Sequence, residues 1–217
     1  MGLNMRVYIK SHYFILSGLV FTGIPLLIWT LDDMAARSLL KDALSILTLL
    51  AFCQMAGQFF WARTNRGAVD NLKMSSVVKY HKIIGYTCGG LLLLHPVLLV
   101  VPRFFEAGIT PLAAFTTVVT TVTSQGVVLG IIAWSLLLVL VLTALVRRTL
   151  PITYRTWRGL HGMAAIGFIL ISTWHVIELG RHANIAFSVF IAILAVGGVL
   201  LLGRHYNIEA IKNNGEA

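Results

Sequence analysis

The chain has 217 residues, 58% of them hydrophobic and only 12% charged, with a mean hydropathy of +0.85. That is too apolar for a soluble globular domain of this length and indicates an integral membrane protein. The net charge of +9 comes without a Lys/Arg-rich tail that would grip phosphates, so it reads as basic cytoplasmic loops and not as a nucleic-acid surface.

The N-terminus, MGLNMRVYIKSHYF, is short and basic ahead of an apolar run, as in a signal peptide. No convincing small-residue cleavage site follows, so the first run reads as a retained span. Six runs are long enough to cross a bilayer core of about 30 Å, roughly 13–31, 43–61, 83–101, 127–145, 160–177 and 185–202. Trp29, Trp61 and Trp157 fall near predicted ends, where indoles favour the interface. Cys53 and Cys88 sit inside apolar runs and read as small core residues.

Thirteen lysines and arginines fall on one side of this arrangement. They are in the N-terminal segment, the second-to-third loop (Arg63, Arg66, Lys73, Lys79, Lys82), the fourth-to-fifth loop (Arg147, Arg148, Arg155, Arg158) and the tail. The other three loops hold only four: Arg37, Lys41, Arg103 and Arg181. The positive-inside rule then predicts an all-α membrane protein, a six-transmembrane helix bundle with both termini cytoplasmic. The outer segment 102–125, Thr- and Val-rich in its middle, either lies on the membrane surface or folds over the outer end of the bundle. The tail, YNIEAIKNNGEA, alternates Tyr206, Ile208 and Ala210 with polar residues before an Asn-Asn-Gly turn signal. It reads either as a polar tail or as the first strand of a β-domain.

The third span opens with HKIIGYTCGGLLLLHP, which sets His81 and His95 14 residues apart; the fifth, HGMAAIGFILISTWH, sets His161 and His175 at the same spacing. In a helix that separation is nearly four turns, roughly 40° in azimuth and about 21 Å along the axis. Both spans run from inside to outside, so His81 levels with His161 and His95 with His175. Neutral imidazole is a common axial ligand of haem iron, and intramembrane histidine tends to mark function. Two flat cofactors, one above the other, would be clamped between the two helices. No Cys-x-x-Cys-His is present, so the attachment would be non-covalent, as in a b-type haem. Gly85, Gly89 and Gly90 on one helix and Gly162 and Gly167 on the other offer room for the rings. Arg63, Arg66, Arg155 and Arg158 inside, with Arg103 and Arg181 outside, are candidate propionate partners.

Other readings exist. A single intramembrane histidine is often a helix–helix hydrogen bond, and a structural zinc or copper site wants its ligands close together. A transporter relaying protons or metal ions along histidines would need polar continuity, which Ile83, Ile84 and the four leucines of 91–94 oppose. A membrane anchor for a soluble enzyme would tolerate loss of all four histidines. His12, His182 and His205 read as solvated loop residues. The spans contain almost no carboxylates, so neither a triad nor a carboxylate pair is in view.

With Pro96 after His95 and YRTWRGL before His161, the two spans resemble the ferric reductase-like transmembrane domain. That superfamily includes the ferric-chelate reductases, the membrane half of the NADPH oxidases and the haem subunit of the bacterial methionine-sulfoxide reductase system. The resemblance implies a membrane oxidoreductase component with two b haems, the inner held by His81 and His161 and the outer by His95 and His175. Electrons would pass from a cytoplasmic flavin/NAD(P)H reductase to an acceptor outside: ferric iron, oxygen, quinone or a periplasmic protein. It further implies haem-binding spans over 1–203 and a cytoplasmic tail, 204–217, where a flavin-binding domain begins in larger members. No Gly-rich dinucleotide fingerprint occurs, so FAD and NAD(P)H are expected on a partner or a further domain. The short chain and the resemblance suggest a bacterial inner membrane.

Overall fold

The computed structural model describes residues 12–33, 35, 37–120 and 124–215, and every regular element among them is helical. Six helices are long and apolar enough to cross a membrane. α1 spans His12–Thr30. It carries a π-turn at Leu19–Gly23, just ahead of Pro25, whose missing N–H leaves the Phe21 carbonyl without its usual partner. α2 (Leu39–Gly57) starts at a Ser38 cap, and Asp42 in its first turn pairs with Arg37 at 3.1 Å. A short α3 (Arg66–Leu72) ends at Lys73, whose φ of 70° turns the chain straight into α4 (Met74–Ala107). Left-handed Gly108 closes α4.

α5 (Pro111–Thr120) occupies the long outer segment, packs back against α4 and leaves Leu112 and Phe115 exposed. Residues 121–123 lie outside the described residues. α6 (Gln125–Leu145) and α7 (Tyr154–Leu179) share the most extensive helix–helix interface, and α8 covers Ile185–Gly215.

Two membrane helices begin well before the starts that hydropathy predicts. α4 reaches back to Met74 and α7 to Tyr154. Hydropathy sees only the apolar stretch, whereas backbone hydrogen bonding continues through surface cations until a breaker intervenes, here Lys73 and the Thr153 cap. His81 and His161 therefore lie well inside regular helix. The tail differs from the strand reading: helix runs on to Gly215. No strand is present among the described residues to pair with it, and an α-helix satisfies its backbone within the segment. Trp61, expected at the interface, is buried against Tyr13, Phe14 and Tyr80, because α2 ends at Gly57 and the chain folds back into the bundle.

The main core joins Phe52, Phe59, Ile169, Phe187, Ile191 and Leu202 from α2, α7, α8 and the turn after α2; a second cluster joins Met55, Leu137, Leu140 and Phe168. Cys53 is fully buried, as expected of a small core residue. Leu16, Ile131, Ile193 and Leu200 face outward, as a lipid-exposed surface requires. α4 packs on α2 and α6, and α7 on α6 and α8. Among the described residues α4 and α7, which carry the histidines, make almost no close backbone approach to one another.

Candidate functional site

His81 and His161 both line one cavity of about 490 Å³ at the end of the bundle where Arg63 and Arg147 also lie. At the other level His95 and His175 stand within electrostatic reach of one another, as His81 and His161 do at theirs. The structure thus sets His81 near His161 and His95 near His175.

The two levels hold their imidazoles differently. His175 Nδ1 lies 2.8 Å from the carbonyl of Gly126. A carbonyl only accepts, so Nδ1 carries the proton and Nε2 keeps its lone pair. The ring rests on Gly130, where an added Cβ would come within 2.6 Å of it. Gly126 and Gly130 form a Gly-x-x-x-Gly stripe on α6 that the sequence reading passed over. Such a stripe lets helices approach closely, and it was the available signal. Nδ1 of His81, His95 and His161 is buried with no hydrogen-bond partner. The carbonyls of Gln58 and Trp61 approach the His81 ring, and Trp157 stacks on His161 with ring centroids 4.9 Å apart.

Pro96 and Trp134 shape the level of His95 and His175. Pro96 has no N–H to offer the Leu92 carbonyl, and Trp134 Nε1 donates to the neighbouring Leu93 carbonyl at 2.9 Å, joining α6 to α4 beside His95. Between the levels sits Phe168, buried, seven residues from His161 and seven from His175. It packs with Met55 and Leu137, and Cys88, midway between His81 and His95, packs against the same cluster. This aromatic midpoint also went unnoticed in sequence.

The expected cations divide. Arg63 and Arg158 line the inner cavity, while Arg66 and Arg155 do not; Lys82, Arg147 and Arg148, which were not singled out, do. The side chain of Arg103 lies outside the described residues. Arg181 donates to the Ala35 carbonyl at 2.7 Å and ties two loops together. The glycines divide as well. Gly85 and Gly162 line the cavity, yet a Cβ at Gly162 would collide with the Tyr206 hydroxyl. Gly89 and Gly167 admit Val141 and Leu136, and Gly90 faces open space. His182 is no solvated loop residue: it pairs with Asp32 at 2.9 Å and is largely buried. His205 lies within the sixth membrane helix, its ring beside Tyr206.

Among the described residues no three His, Cys, Asp or Glu side chains gather into a metal cage. Each level offers two imidazoles on helices that stand apart. Such a set suits an iron that draws four further ligands from a macrocycle better than a bare ion that needs four from protein.

Residues 47–172 match the family described as ferric reductase like transmembrane component. The match takes in His81, His95 and His161 and stops three residues short of His175. A protein of Archaeoglobus fulgidus described as uncharacterized is 39% identical over 160 residues, covering 74% of this chain and 87% of that protein. No solved structure matches. With six apolar helices and a family match across more than half its length, the chain is an integral, multi-pass membrane protein belonging to the ferric reductase-like transmembrane component family.

Proposed function

We propose that this protein carries electrons across a membrane through two b-type haems, one between His81 and His161 toward the inner face and one between His95 and His175 toward the outer. The observation that carries the reading is the pair of histidine levels on α4 and α7, two helices that both pack on α6 but barely on each other and that flank a cavity at one level. The tautomer of His175 supports it, because the Gly126 carbonyl holds the proton on Nδ1 and leaves the Nε2 lone pair free for a metal. The haems, when bound, supply the redox-active iron.

The chain's own residues do the rest. The four imidazoles would hold the haem irons, and the Gly126 carbonyl fixes the tautomer of His175. Arg63, Lys82, Arg147, Arg148 and Arg158 offer positive charge to propionates at the inner mouth. The Phe168 layer keeps the space between the levels dry and aromatic. Electrons enter from a cytoplasmic flavin/NAD(P)H reductase, a partner subunit or a further domain. They leave to an outer-face acceptor such as ferric iron, oxygen or a periplasmic protein. The basic loops put the inner end at the cytoplasmic face of a plasma membrane.

The test is an absorption spectrum of the purified protein, oxidised and dithionite-reduced, with a pyridine haemochrome assay. Two b haems per chain are expected. His95→Ala and His175→Ala should each leave one. A colourless protein after haem-supplemented expression, or unchanged spectra in both variants, would overturn the reading.

A further inference from the structure

We infer that Trp157 orients the inner histidine and gives electrons their way in from the inner surface; this rests on the haem reading above. A ligating imidazole needs something to fix its plane, ordinarily a hydrogen bond from its second nitrogen. His175 has that bond to Gly126. His161 does not: its Nδ1 is buried and unpartnered. What meets the ring instead is the indole of Trp157, at 4.9 Å between centroids and 28° between planes.

The stack continues outward. Tyr154, Trp157 and His161 are spaced three and four residues apart on α7, which sets their side chains on one helix face. The Tyr154 and Trp157 rings lie 6.0 Å apart with planes 21° from parallel. Tyr154 is 40% exposed, so three π-systems in sequence lead from solvent to the buried ligand. The column is also anchored. Trp157 Nε1 donates to the Thr143 carbonyl at 3.2 Å. The Arg147 guanidinium lies 4.3 Å from the Tyr154 ring centre and 5.2 Å from that of Trp157, within the range of cation–π attraction. Arg63 donates to the Tyr154 hydroxyl at 2.9 Å. All of these residues line the inner cavity except Thr143. In each transfer a reduced flavin loses one electron and the inner iron passes from ferric to ferrous; the indole begins and ends neutral.

The experiment uses the haem-loaded protein in nanodiscs with W157L, W157F and Y154L. Three quantities are read: haem per chain, the electron paramagnetic resonance g values of each ferric centre, and the rate of reduction by photoreduced flavin mononucleotide. W157L should shift the g values of one centre only and slow reduction by about 10- to 100-fold, the span usual for partners that orient a metal ligand. W157F should keep most of the rate. Y154L should slow reduction while both sets of g values hold. Wild-type g values and rate in W157L would overturn the inference. If W157L does not retain the inner haem, a wild-type rate in Y154L would overturn it. Absence of haem from the wild-type protein would instead sink the haem reading, so the two failures are distinct.

Discussion

At Gly130 a hydrogen stands where any other residue would put a carbon, and the His175 ring lies against it. A Cβ there would lie 2.6 Å from Cε1 and 2.8 Å from Nδ1 of His175. The ring cannot yield without breaking its bond to the Gly126 carbonyl. Gly130→Ala should therefore weaken or abolish the outer haem signal and leave the inner one intact, at an overpacking cost of about 1–3 kcal/mol. A redox titration resolved into two components reads this directly. Gly90→Ala is the matching control. It meets nothing within 4 Å and lies about 180° around α4 from His81, so both signals should stay at their wild-type values. Sequence marked these glycines in the reverse order. Gly90 sat inside the conspicuous histidine run, whereas Gly130 matters only because α7 crosses α6 there.

Among the elements, α4 bears the most irregular load. It holds two histidines and, at Pro96 and Pro102, two interruptions of its hydrogen-bond ladder. Beside the first of these, Trp134 donates from α6 to the Leu93 carbonyl. Trp134→Phe removes that bond and little volume, so the loss should be roughly 0.6 kcal/mol, the average for an interhelical side-chain bond within a membrane. Thermal unfolding in detergent should move only slightly, and both haems should be retained. A large loss of outer haem would mean that the bond positions His95 and does more than add packing. α7 combines three devices along one helix: the Tyr154–Trp157 column, the Phe168 midpoint and the His175 clamp. Their regular spacing follows from helical periodicity, which is why the histidines could be paired from sequence. Most of their partners lie on α6, with Met55, Arg63 and Arg147 outside it, and nothing in the α7 sequence names them.

For the whole molecule, the decisive arrangement is that α4 and α7 both pack on α6 yet barely meet one another. Charge adds direction. Five cations line the His81–His161 cavity, Arg63 and Arg147 of them engaged by Tyr154; elsewhere Arg37 and Arg181 are engaged by Asp42, Ser45 and the Ala35 carbonyl, and His182 pairs with Asp32. With six crossings and the basic loops inside, a reporter fused at either end should lie in the cytoplasm. Fluorescent-protein fusions at the ends should glow and alkaline phosphatase fusions there should be inactive, with the opposite result for insertions near residue 110. The reverse pattern would invert the direction of transfer.

The sequence by itself determined the membrane class, the six spans and the matched histidine heights, because hydropathy and a 3.6-residue period act along one helix and need no neighbour. It also suggested the likeness that the family match bears out. Tertiary structure alone decided which cations reach the inner mouth, which glycine receives His175, that the tail continues as helix, and that His161 stacks on Trp157. Most of these depend on the azimuth and crossing of separate helices, which packing between them sets and no single segment encodes.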